Sequence, residues 1–226
     1  MPLPKALRRL TPAGVRDDPR LRAVALGAGL IPPRTMHSDA EAETLARLAR
    51  GSRRVVELGV YEGSSALVLL HAMPAGSELV LIDPYTADTR WAALPQGVWA
   101  NATATRLAVA RARRRGRASV RWILERSQDV GRSWDGGSVD LVFIDGDHSY
   151  EGCRQDWEAW RRHVPPGGFV AFHDARAGRP GGHGAPGPTR IVDETFRQTP
   201  ADGWTLVDEL DALVVVRRRD DEPARP

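Results

Sequence analysis

Short, largely apolar segments that alternate with stretches of helical periodicity constrain the fold of this chain more than any other feature. The segments predicted to be strands occupy residues 54–59, 78–83, 119–124, 139–145 and 167–174. Strands that are apolar along their length, with helices between them, form a mostly parallel sheet covered on both faces. The pattern therefore predicts an α/β protein with a Rossmann-like, doubly wound sheet.

Helices are predicted between these strands, over residues 38–50, 64–73, 98–115, 151–163 and 190–198. Ser38 and Glu41 have the spacing of a capping box at the start of the first helix. Cys153, Trp157 and Trp160 share one face of the fourth helix. Their helical spacing is typical of a stripe that packs on a sheet, so we interpret them as core.

Two further strands are predicted at residues 204–207 and 212–216, separated by a short turn. A parallel pair would need a much longer crossover, so these two are expected to be antiparallel. The expected sheet therefore has seven strands, mostly parallel, with an antiparallel C-terminal pair. We expect a loosely structured N-terminal arm at residues 1–37, one domain at 38–218 and a C-terminal tail at 219–226.

The composition excludes several classes of protein. Apolar residues make up 42% of the chain and charged residues 27%, as in ordinary soluble globular proteins. The longest apolar run, Ala23–Ile31, is far shorter than the roughly 20 residues of a membrane span, and no secretory signal pattern opens the chain. We therefore expect a cytoplasmic protein with no membrane contact. Cys153 is the only cysteine, which excludes an intramolecular disulfide and argues against a cysteine-based zinc site.

The densest basic cluster consists of Arg111, Arg113, Arg114, Arg115 and Arg117. Cations suit the C-terminal end of a helix, and the glycine within this cluster is a typical helix stop. We interpret the cluster as a solvated helix end and expect no nucleic-acid partner. Nucleic-acid binding is kept as an alternative, although no aromatic residues are interleaved with the arginines as stacking platforms would be.

Acidic residues stand at the ends of four predicted strands. Glu57 lies near the end of the first, Asp83 ends the second, Asp145 the fourth and Asp174 the fifth. In sheets of this kind, ligands bind beyond the C-terminal strand ends, where the strand order reverses. We therefore expect the four carboxylates to share one cleft.

The turn after the first strand disfavours a pyrophosphate. A dinucleotide fingerprint is G-x-G-x-x-G, and its second glycine lets the backbone approach the pyrophosphate. With Gly59 as the first glycine, Tyr61 takes the place of the second, and Glu62 adds negative charge. A cationic nucleoside without phosphate, such as S-adenosylmethionine, suits this turn better. Asp83 is placed to accept hydrogen bonds from its ribose hydroxyls.

The alternative at this turn is a nicotinamide cofactor, because such sites also place an acid where Asp83 stands. A nicotinamide-dependent oxidoreductase would need room for the pyrophosphate beside Tyr61. It would also need a hydride-transfer pair such as Tyr-x-x-x-Lys, and Lys5 is the only lysine of the chain. The methyl donor is therefore the first hypothesis.

Two segments carry a resemblance to a known family. Val56–Ser65 resembles the first motif of class I S-adenosylmethionine-dependent O-methyltransferases, especially the branch of the catechol and caffeoyl-CoA enzymes. The second segment consists of Phe143–Gly152, followed by Asp156, Trp160, Pro165–Gly168 and His173-Asp174. It is similar to bacterial small-molecule methyltransferases related to the macrocin-type sugar O-methyltransferases. The resemblance covers about residues 38–218.

The resemblance implies an activity and a set of ligand-binding residues. It implies O-methyl transfer to a hydroxyl of a small polar acceptor, such as a sugar on a natural product or a glycan, and a role in natural product biosynthesis. The residues implied to bind S-adenosylmethionine are Glu57, Gly59, Tyr61, Gly63, Ser64, Asp83, Ser127 and Asp145. Ser127 stands where related enzymes contact the adenine, although a plain turn serine is the alternative. A homo-oligomer is compatible with these features.

Asp145 and Asp174 form a candidate metal site. If the fourth and fifth strands pair, their backbones lie about 4.8 Å apart, and both carboxylates reach one hard cation such as Mg²⁺, which prefers oxygen ligands. The resemblance implies the same two ligands. Many relatives continue with Asn or Asp, whereas this chain has Ala175. His173 is the candidate replacement, although strand alternation directs neighbouring side chains to opposite faces.

A base is needed to complete this chemistry. A cation at the site would help an acceptor hydroxyl to lose its proton, and a nearby side chain would accept that proton. His148, three residues after Asp145, is the first candidate and Asp147 the second. A capping or solvated-loop role is the alternative for His148.

The segment that follows Asp174 has an unusual composition. Residues 175–188 contain five glycines and three prolines. We interpret the segment as a lid or substrate loop at the mouth of the site. An ordinary surface insertion is the alternative.

Overall fold

Seven strands form a single sheet in the computed structural model, which describes residues 18–85, 100–113, 118–198 and 201–220. The strands are β1 Arg54–Leu58, β2 Glu78–Ile82, β3 Ser119–Ile123, β4 Leu141–Ile144, β5 Phe169–Phe172, β6 Trp204–Leu210 and β7 Leu213–Arg218. Their order across the sheet is β3-β2-β1-β4-β5-β7-β6.

The strand directions confirm the predicted topology. β1 is parallel to β2 and to β4, β2 is parallel to β3, and β4 is parallel to β5. β7 is antiparallel to both β5 and β6. The order reverses at β1, because β2 lies on one side of it and β4 on the other. A ligand crevice is therefore expected beyond the carboxyl ends of β1 and β4.

The helices cover both faces of this sheet. They are α1 Pro19–Ala28, α2 Asp39–Arg50, α3 Ser64–Ala72, α4 Ala102–Arg113, α5 Ser127–Arg132, α6 Tyr150–Trp160 and α7 Pro186–Val192, with a 3₁₀ turn at Arg161–His163 and a π-helical turn at Asp193–Gln198. None of the helices in the described ranges combines the length and the hydrophobicity that a membrane crossing requires. Lys5 and the last three arginines of the basic cluster lie outside the described residues.

Two apolar layers hold the helices on the sheet. Val56 and Leu58 face one layer, while Val55 faces the other, as the alternation of side chains along a strand requires. Trp160 and Cys153 of α6 are at most 1% exposed in the first layer, which confirms that this helix face is core. Each large apolar side chain buried in this way contributes about 1.5–3 kcal/mol to stability.

The expectation of a loosely structured arm is wrong for residues 18–28, because α1 and its N-cap lie there. The Asp18 carboxylate caps the helix by accepting from the Arg20 and Leu21 amides at 2.8 and 2.9 Å. Gly29, at a φ of 76°, ends it. α1 packs against α4, and Gly27 lies in this contact, where an added Cβ would meet Ala104 at an ordinary contact distance of 3.5 Å. The capping signals are local, but the contact with α4 that stabilises so short a helix is not.

A buried ion pair ties this N-terminal segment to the turn after β1. Glu62 is 2% exposed, and the Arg22 guanidinium donates to both of its carboxylate oxygens. Arg34 adds its backbone amide at 2.6 Å and its guanidinium at 3.2 Å. A two-pronged arginine–carboxylate contact is among the stronger polar interactions in proteins. Arg22 therefore anchors α1 to the turn after β1, which is the turn that the sequence predicted to bind the methyl donor.

Arg22→Met should lower the free energy of unfolding by about 3 kcal/mol, because it leaves the Glu62 carboxylate buried with a weakened set of partners. Arg20→Met is the matched control, since Arg20 is exposed on the same helix, and it should change stability by less than about 0.5 kcal/mol. Urea denaturation of both variants measures the difference. Equal midpoints for the two variants would contradict the anchoring role.

Candidate active site

The carboxyl ends of β1, β2 and β4 meet at one rim of the sheet. The Gly59 amide donates to the Ile82 carbonyl at 2.9 Å, and the Asp145 amide donates to the Leu58 carbonyl at 2.8 Å. Asp83 accepts from the Val60 and Tyr61 amides at 2.9 and 3.1 Å. The turn after β1 is thus held between Asp83 on one side and Asp145 on the other.

Gly59 and Tyr61 give this turn its shape. Gly59 has a φ of 86°, and a Cβ there would lie 2.2 Å from the Asp145 carbonyl oxygen, so only glycine fits. Tyr61 has a φ of 53°, which is rare for a bulky residue. Its carbonyl accepts from the hydroxyls of Tyr85 and Thr105 at 3.1 and 3.0 Å. The exclusion of a pyrophosphate by the Tyr61 side chain stays a prediction.

The negative charge of Glu62 at the same turn is compensated within the protein. The prediction placed this charge beside the ligand, but the Arg22 and Arg34 guanidiniums pair with the carboxylate, so that part of the prediction is wrong. Both arginines come from a segment far away in sequence, so local spacing gave no sign of them.

Glu57 is fully buried beneath the turn. One of its oxygens accepts from the Ser65 hydroxyl, and the other has no hydrogen-bond partner among the described residues. Burial raises the pKa of Glu57 well above its usual value, and the charges of Asp145 and Asp83 raise it further. Ser64, a predicted cofactor-binding residue, lies 3.0 Å from the His37 Nε2, and Gly63, at a φ of 83°, precedes it as the N-cap of α3. Binding of the cofactor by Ser64 stays a prediction.

Asp83 is already engaged by backbone amides. Besides Val60 and Tyr61, the Tyr85 amide donates to its other oxygen at 2.7 Å. A carboxylate offers about four lone-pair sites, so ribose hydroxyls remain compatible with this arrangement. Binding of ribose by Asp83 stays a prediction.

Ser127 is the first residue of α5 and forms hydrogen bonds with two residues of α6. Its hydroxyl donates to Asp156, and the Trp160 indole donates to its carbonyl at 3.0 Å. Asp156 is 0% exposed, and its second oxygen has no hydrogen-bond partner within the described ranges. Burial raises the pKa of Asp156 to about 7, although the Ser127 hydrogen bond opposes that change. Asp156 belonged to the sequence motif without any assigned role.

Asp145, His148 and Asp174 come together at the same rim. One ligand atom of each lies within 4.8 Å of the others, because β4 and β5 pair in parallel with Ile144 opposite Phe172. The His148 Nε2 is 3.2 Å from Asp174 and 3.5 Å from Asp145. The predicted pairing of the two strand-end carboxylates is therefore observed.

Asp147, the second candidate base, takes part in the turn before α6. Its carboxylate accepts from the Ser149 amide at 2.8 Å. It also packs against Gly152, where a Cβ would lie 2.4 Å from the Asp147 carboxyl carbon. These contacts give Asp147 a structural task that the sequence reasoning did not foresee.

The expectation that strand alternation separates His173 from Asp174 is wrong. β5 ends at Phe172, and Asp174 has a φ of 52°, so the backbone has left the strand where the alternation would apply. The His173 Nδ1 lies 2.9 Å from an Asp145 oxygen and 3.7 Å from an Asp174 oxygen. His173 was the predicted substitute ligand, but its Nδ1 is used for this contact with Asp145, and the metal-capable group contains His148 instead.

Opposite charges stabilise this cluster. Burial alone would raise the pKa of Asp145, but the neighbouring His173 and His148 outweigh burial and lower it. Burial likewise opposes charge on His173, yet Asp145, Glu41 and Asp174 together raise the pKa of that ring to about 11. The pKa of His148 is also raised, because its carboxylate neighbours outweigh burial. The two histidines therefore compensate much of the repulsion that the sequence reasoning assigned to a cation.

Glu41 reaches the cluster from the start of α2, and the sequence reasoning missed this role. The predicted capping box with Ser38 is present. Glu41 is nevertheless 0% exposed and also accepts from the Ala212 amide at 2.7 Å. One of its oxygens lies 3.6 Å from the His173 Nε2. The capping spacing was visible in the sequence, whereas the approach of the β6–β7 turn and of His173 was not.

Residues 175–188 lie against the same site. Ala175 forms a bridge with Gly184, and the Arg176 guanidinium donates to the Asp211 carbonyl at 3.2 Å. Gly187 sits on the turn that carries His148, since a Cβ at Gly187 would lie 2.3 Å from the His148 carbonyl oxygen. The segment is therefore positioned at the site, and its action as a lid stays a prediction.

Comparison with known proteins identifies the family. A family model described as a methyltransferase domain matches residues 56–175. The chain belongs to this family. A protein of Mycobacterium sp. (strain JLS) named "Putative O-methyltransferase" is 30% identical over 217 residues, which cover 88% of this chain and 84% of that protein. The class I S-adenosylmethionine-dependent O-methyltransferase assignment made from the sequence is confirmed.

Two further comparisons differ in how much of the matched protein they cover. Protein y4gI of Sinorhizobium fredii is 29% identical over 125 residues, and the match spans 13% of the length of that relative. The crystal structure of the O-methyltransferase TomG from Streptomyces achromogenes, in complex with S-adenosylmethionine, has a TM-score of 0.56. It is 18% identical and aligns over 90% of both chains. This likeness confirms the methyltransferase fold.

Gly59→Ala should destabilise this methyltransferase by at least about 3 kcal/mol, because the new Cβ would collide with the Asp145 backbone. Gly76→Ala is the matched control. Gly76 has a φ of 77° but no atom within 4 Å of the added Cβ, so only the left-handed backbone is penalised, by roughly 1–2 kcal/mol. Chemical denaturation of both variants tests the close contact. A similar loss in both would argue against it.

The stability of the methyltransferase should carry a pH dependence that Asp156→Asn removes. The folded chain holds a proton on Asp156 between about pH 4 and pH 7 that the unfolded chain has lost, so the free energy of unfolding falls as the pH rises through this window. Relative to Asp156→Asn, the wild type should lose on the order of 3 kcal/mol between about pH 5 and pH 8. Denaturation curves at several pH values give this difference. Parallel profiles would show that Asp156 ionises normally.

Proposed function

We propose that this methyltransferase methylates a hydroxyl of a small polar acceptor at the cluster of Asp145, His148 and Asp174, with the help of a divalent cation. The observation that carries the proposal is the convergence of these three ligand atoms within 4.8 Å of one another. They lie at the rim where the Gly59–Tyr61 turn meets β4, which is where a ligand of such a sheet is expected.

The residues present fit a divalent cation. Asp145 and Asp174 offer carboxylate oxygens, which suit Mg²⁺, and their side chains are 21% and 25% exposed. Such an ion, when bound, would lower the pKa of a hydroxyl next to it. A ligand set that includes the His148 imidazole would favour a transition metal over Mg²⁺, so we assign His148 the role of base and the two carboxylates the role of ligands.

The residues of the chain also account for the transfer itself. The acceptor oxygen forms a bond to the methyl carbon as the carbon–sulfur bond breaks, and the sulfur keeps the electron pair. His148 acts as the base in its neutral form, which would be favoured when a cation compensates Asp145 and Asp174 in place of the imidazolium charge. The neutral ring accepts the hydroxyl proton, and general-base catalysis of this kind contributes about a hundredfold or more. Because the reaction neutralises the sulfonium charge, alignment and exclusion of water matter more than an oxyanion hole. The segment 175–188 is positioned to exclude water.

The acceptor is proposed to be a sugar or another hydroxylated natural product. The resemblance of Phe143–Gly152 to small-molecule methyltransferases supports this class. TomG, whose structure is similar, is involved in tomaymycin synthesis. The charged surroundings of the cluster, with two acids and two histidines in contact, also suit a polar acceptor better than an apolar one.

Two calorimetric titrations test the proposal, one with S-adenosylhomocysteine and one with Mg²⁺ or Mn²⁺. The wild type should bind both. Asp174→Asn should bind the cation at least about tenfold more weakly and keep its affinity for S-adenosylhomocysteine, because only the cation is assigned to Asp174. Asp202→Asn, an exposed acid elsewhere on the chain, is the matched control and should change neither affinity.

The outcomes separate the parts of the proposal. No binding of S-adenosylhomocysteine at millimolar concentration would refute the assignment of the rim to the methyl donor. Binding of S-adenosylhomocysteine without cation binding would refute only the cation-assisted chemistry, and methyl transfer would then depend on the alignment of the two substrates.

A further inference from the structure

A line of alternating charges runs from α2 to the active site. Glu41 faces the Nε2 of His173 at 3.6 Å, and the Nδ1 of His173 contacts Asp145 at 2.9 Å. Glu41 and His173 are 0% and 4% exposed, so water does not compete for these contacts. With a carboxylate facing each ring nitrogen, the imidazole has one favoured orientation.

We propose that Glu41 is a positioning residue for the active site, which holds the His173 ring so that its Nδ1–H fixes the orientation of the Asp145 carboxylate. This inference rests on the proposed function, because it takes Asp145 as a group that binds the methyl donor and the cation. It assigns to Glu41 a task that neither the helix cap nor the family comparison requires.

The environment of Glu41 goes beyond what a helix cap needs. A capping box requires one carboxylate oxygen to accept from the N-cap amide, and the Ser38 amide does so at 2.7 Å. The other oxygen accepts from the Ala212 amide in the β6–β7 turn at 2.7 Å. Because a buried carboxylate is costly unless it is paired, complete burial of a surface-type cap would be unfavourable without the facing histidine.

The contacts of Glu41 and His173 connect four separate elements around Asp145. Glu41 belongs to α2, Ala212 to the β6–β7 turn, His173 follows β5 and Asp145 follows β4. A hydrogen-bonded partner behind a ligand-binding carboxylate keeps that carboxylate in place, and loss of such a partner typically weakens binding by 10- to 100-fold. The pair of Glu41 and His173 is in that position behind Asp145.

The test compares variants by their affinity for S-adenosylhomocysteine and for Mn²⁺. Glu41→Gln keeps the size of the side chain and an oxygen for the backbone amides, but it removes the charge that faces His173. We expect it to bind both probes about tenfold more weakly. His173→Asn serves as the second background, since its amide can still donate to Asp145 but is too short to reach Glu41. In that background Glu41→Gln should have no further effect, because the coupling is gone.

Ser38→Ala is the matched control for the cap. The Ser38 hydroxyl completes the capping box and also donates to Asp211 at 2.6 Å, whereas the contact of Glu41 with His173 does not involve it. This variant should be less stable than the wild type but should bind both probes with wild-type affinity. Thermal unfolding of every variant shows whether stability and affinity change together.

A measurement without any ligand completes the test. The His173 ring should show an Nδ1 proton that is protected from exchange with water in nuclear magnetic resonance spectra of the wild type, and Glu41→Gln should lose that protection. If Glu41→Gln is recovered unfolded, Glu41→Asp replaces it, because its shorter carboxylate withdraws from His173.

Several results would overturn the inference. It fails if Glu41→Gln binds both probes like the wild type, if Ser38→Ala weakens binding as much as Glu41→Gln, or if the ring proton stays protected without Glu41. A wild type that binds neither probe would instead refute the proposed function. The ring proton would then decide by itself whether Glu41 holds His173 against Asp145.

Discussion

The structure depends on how it neutralises carboxylates that are gathered at one rim of the sheet. Close acids repel one another and shift their pKa values upward when buried, so each needs its own compensation. Asp145 obtains it from the His173 ring at 2.9 Å, and Glu62 obtains it from Arg22. Glu57 is stabilised differently, since burial raises its pKa and favours the protonated form.

This pattern of compensation determines what the rim can do. Two histidines already lie against Asp145 and Asp174, so the fold does not need a cation to hold these carboxylates together. The same arrangement holds the His148 Nε2 within 3.2 Å of Asp174, in the position from which we propose that it accepts the proton of an acceptor hydroxyl. The contacts that support this cluster from outside the central strands come from α2, where Glu41 faces His173, and from residues 175–188, where Gly187 lies against the His148 carbonyl oxygen.

Much of the fold and part of the site could be predicted from the sequence. The strands, their parallel order and the antiparallel end follow from hydrophobic patterns that are local in the chain. The approach of Asp145 to Asp174 follows from two strand ends that pair. Predictions about single side chains were wrong where the contacting residue lies far away in the sequence or where a strand ends earlier than predicted. The charge of Glu62 was assigned to a ligand because Arg22 lies 40 residues earlier. The side chains of His173 and Asp174 were expected on opposite faces because the end of β5 was predicted too late.

The sequence by itself determined the layered α/β architecture and the placement of acids at strand ends, because the hydrophobic period that marks each strand and helix acts between near neighbours in the chain. Only the tertiary structure decided which acid meets which cation. Glu41 shows the difference, since its capping role depends on a residue three positions away, whereas its contact with His173 exists only once α2 and β5 are packed together. Side-chain electrostatics acts through space, and its partners are therefore decided by the fold rather than by spacing along the chain.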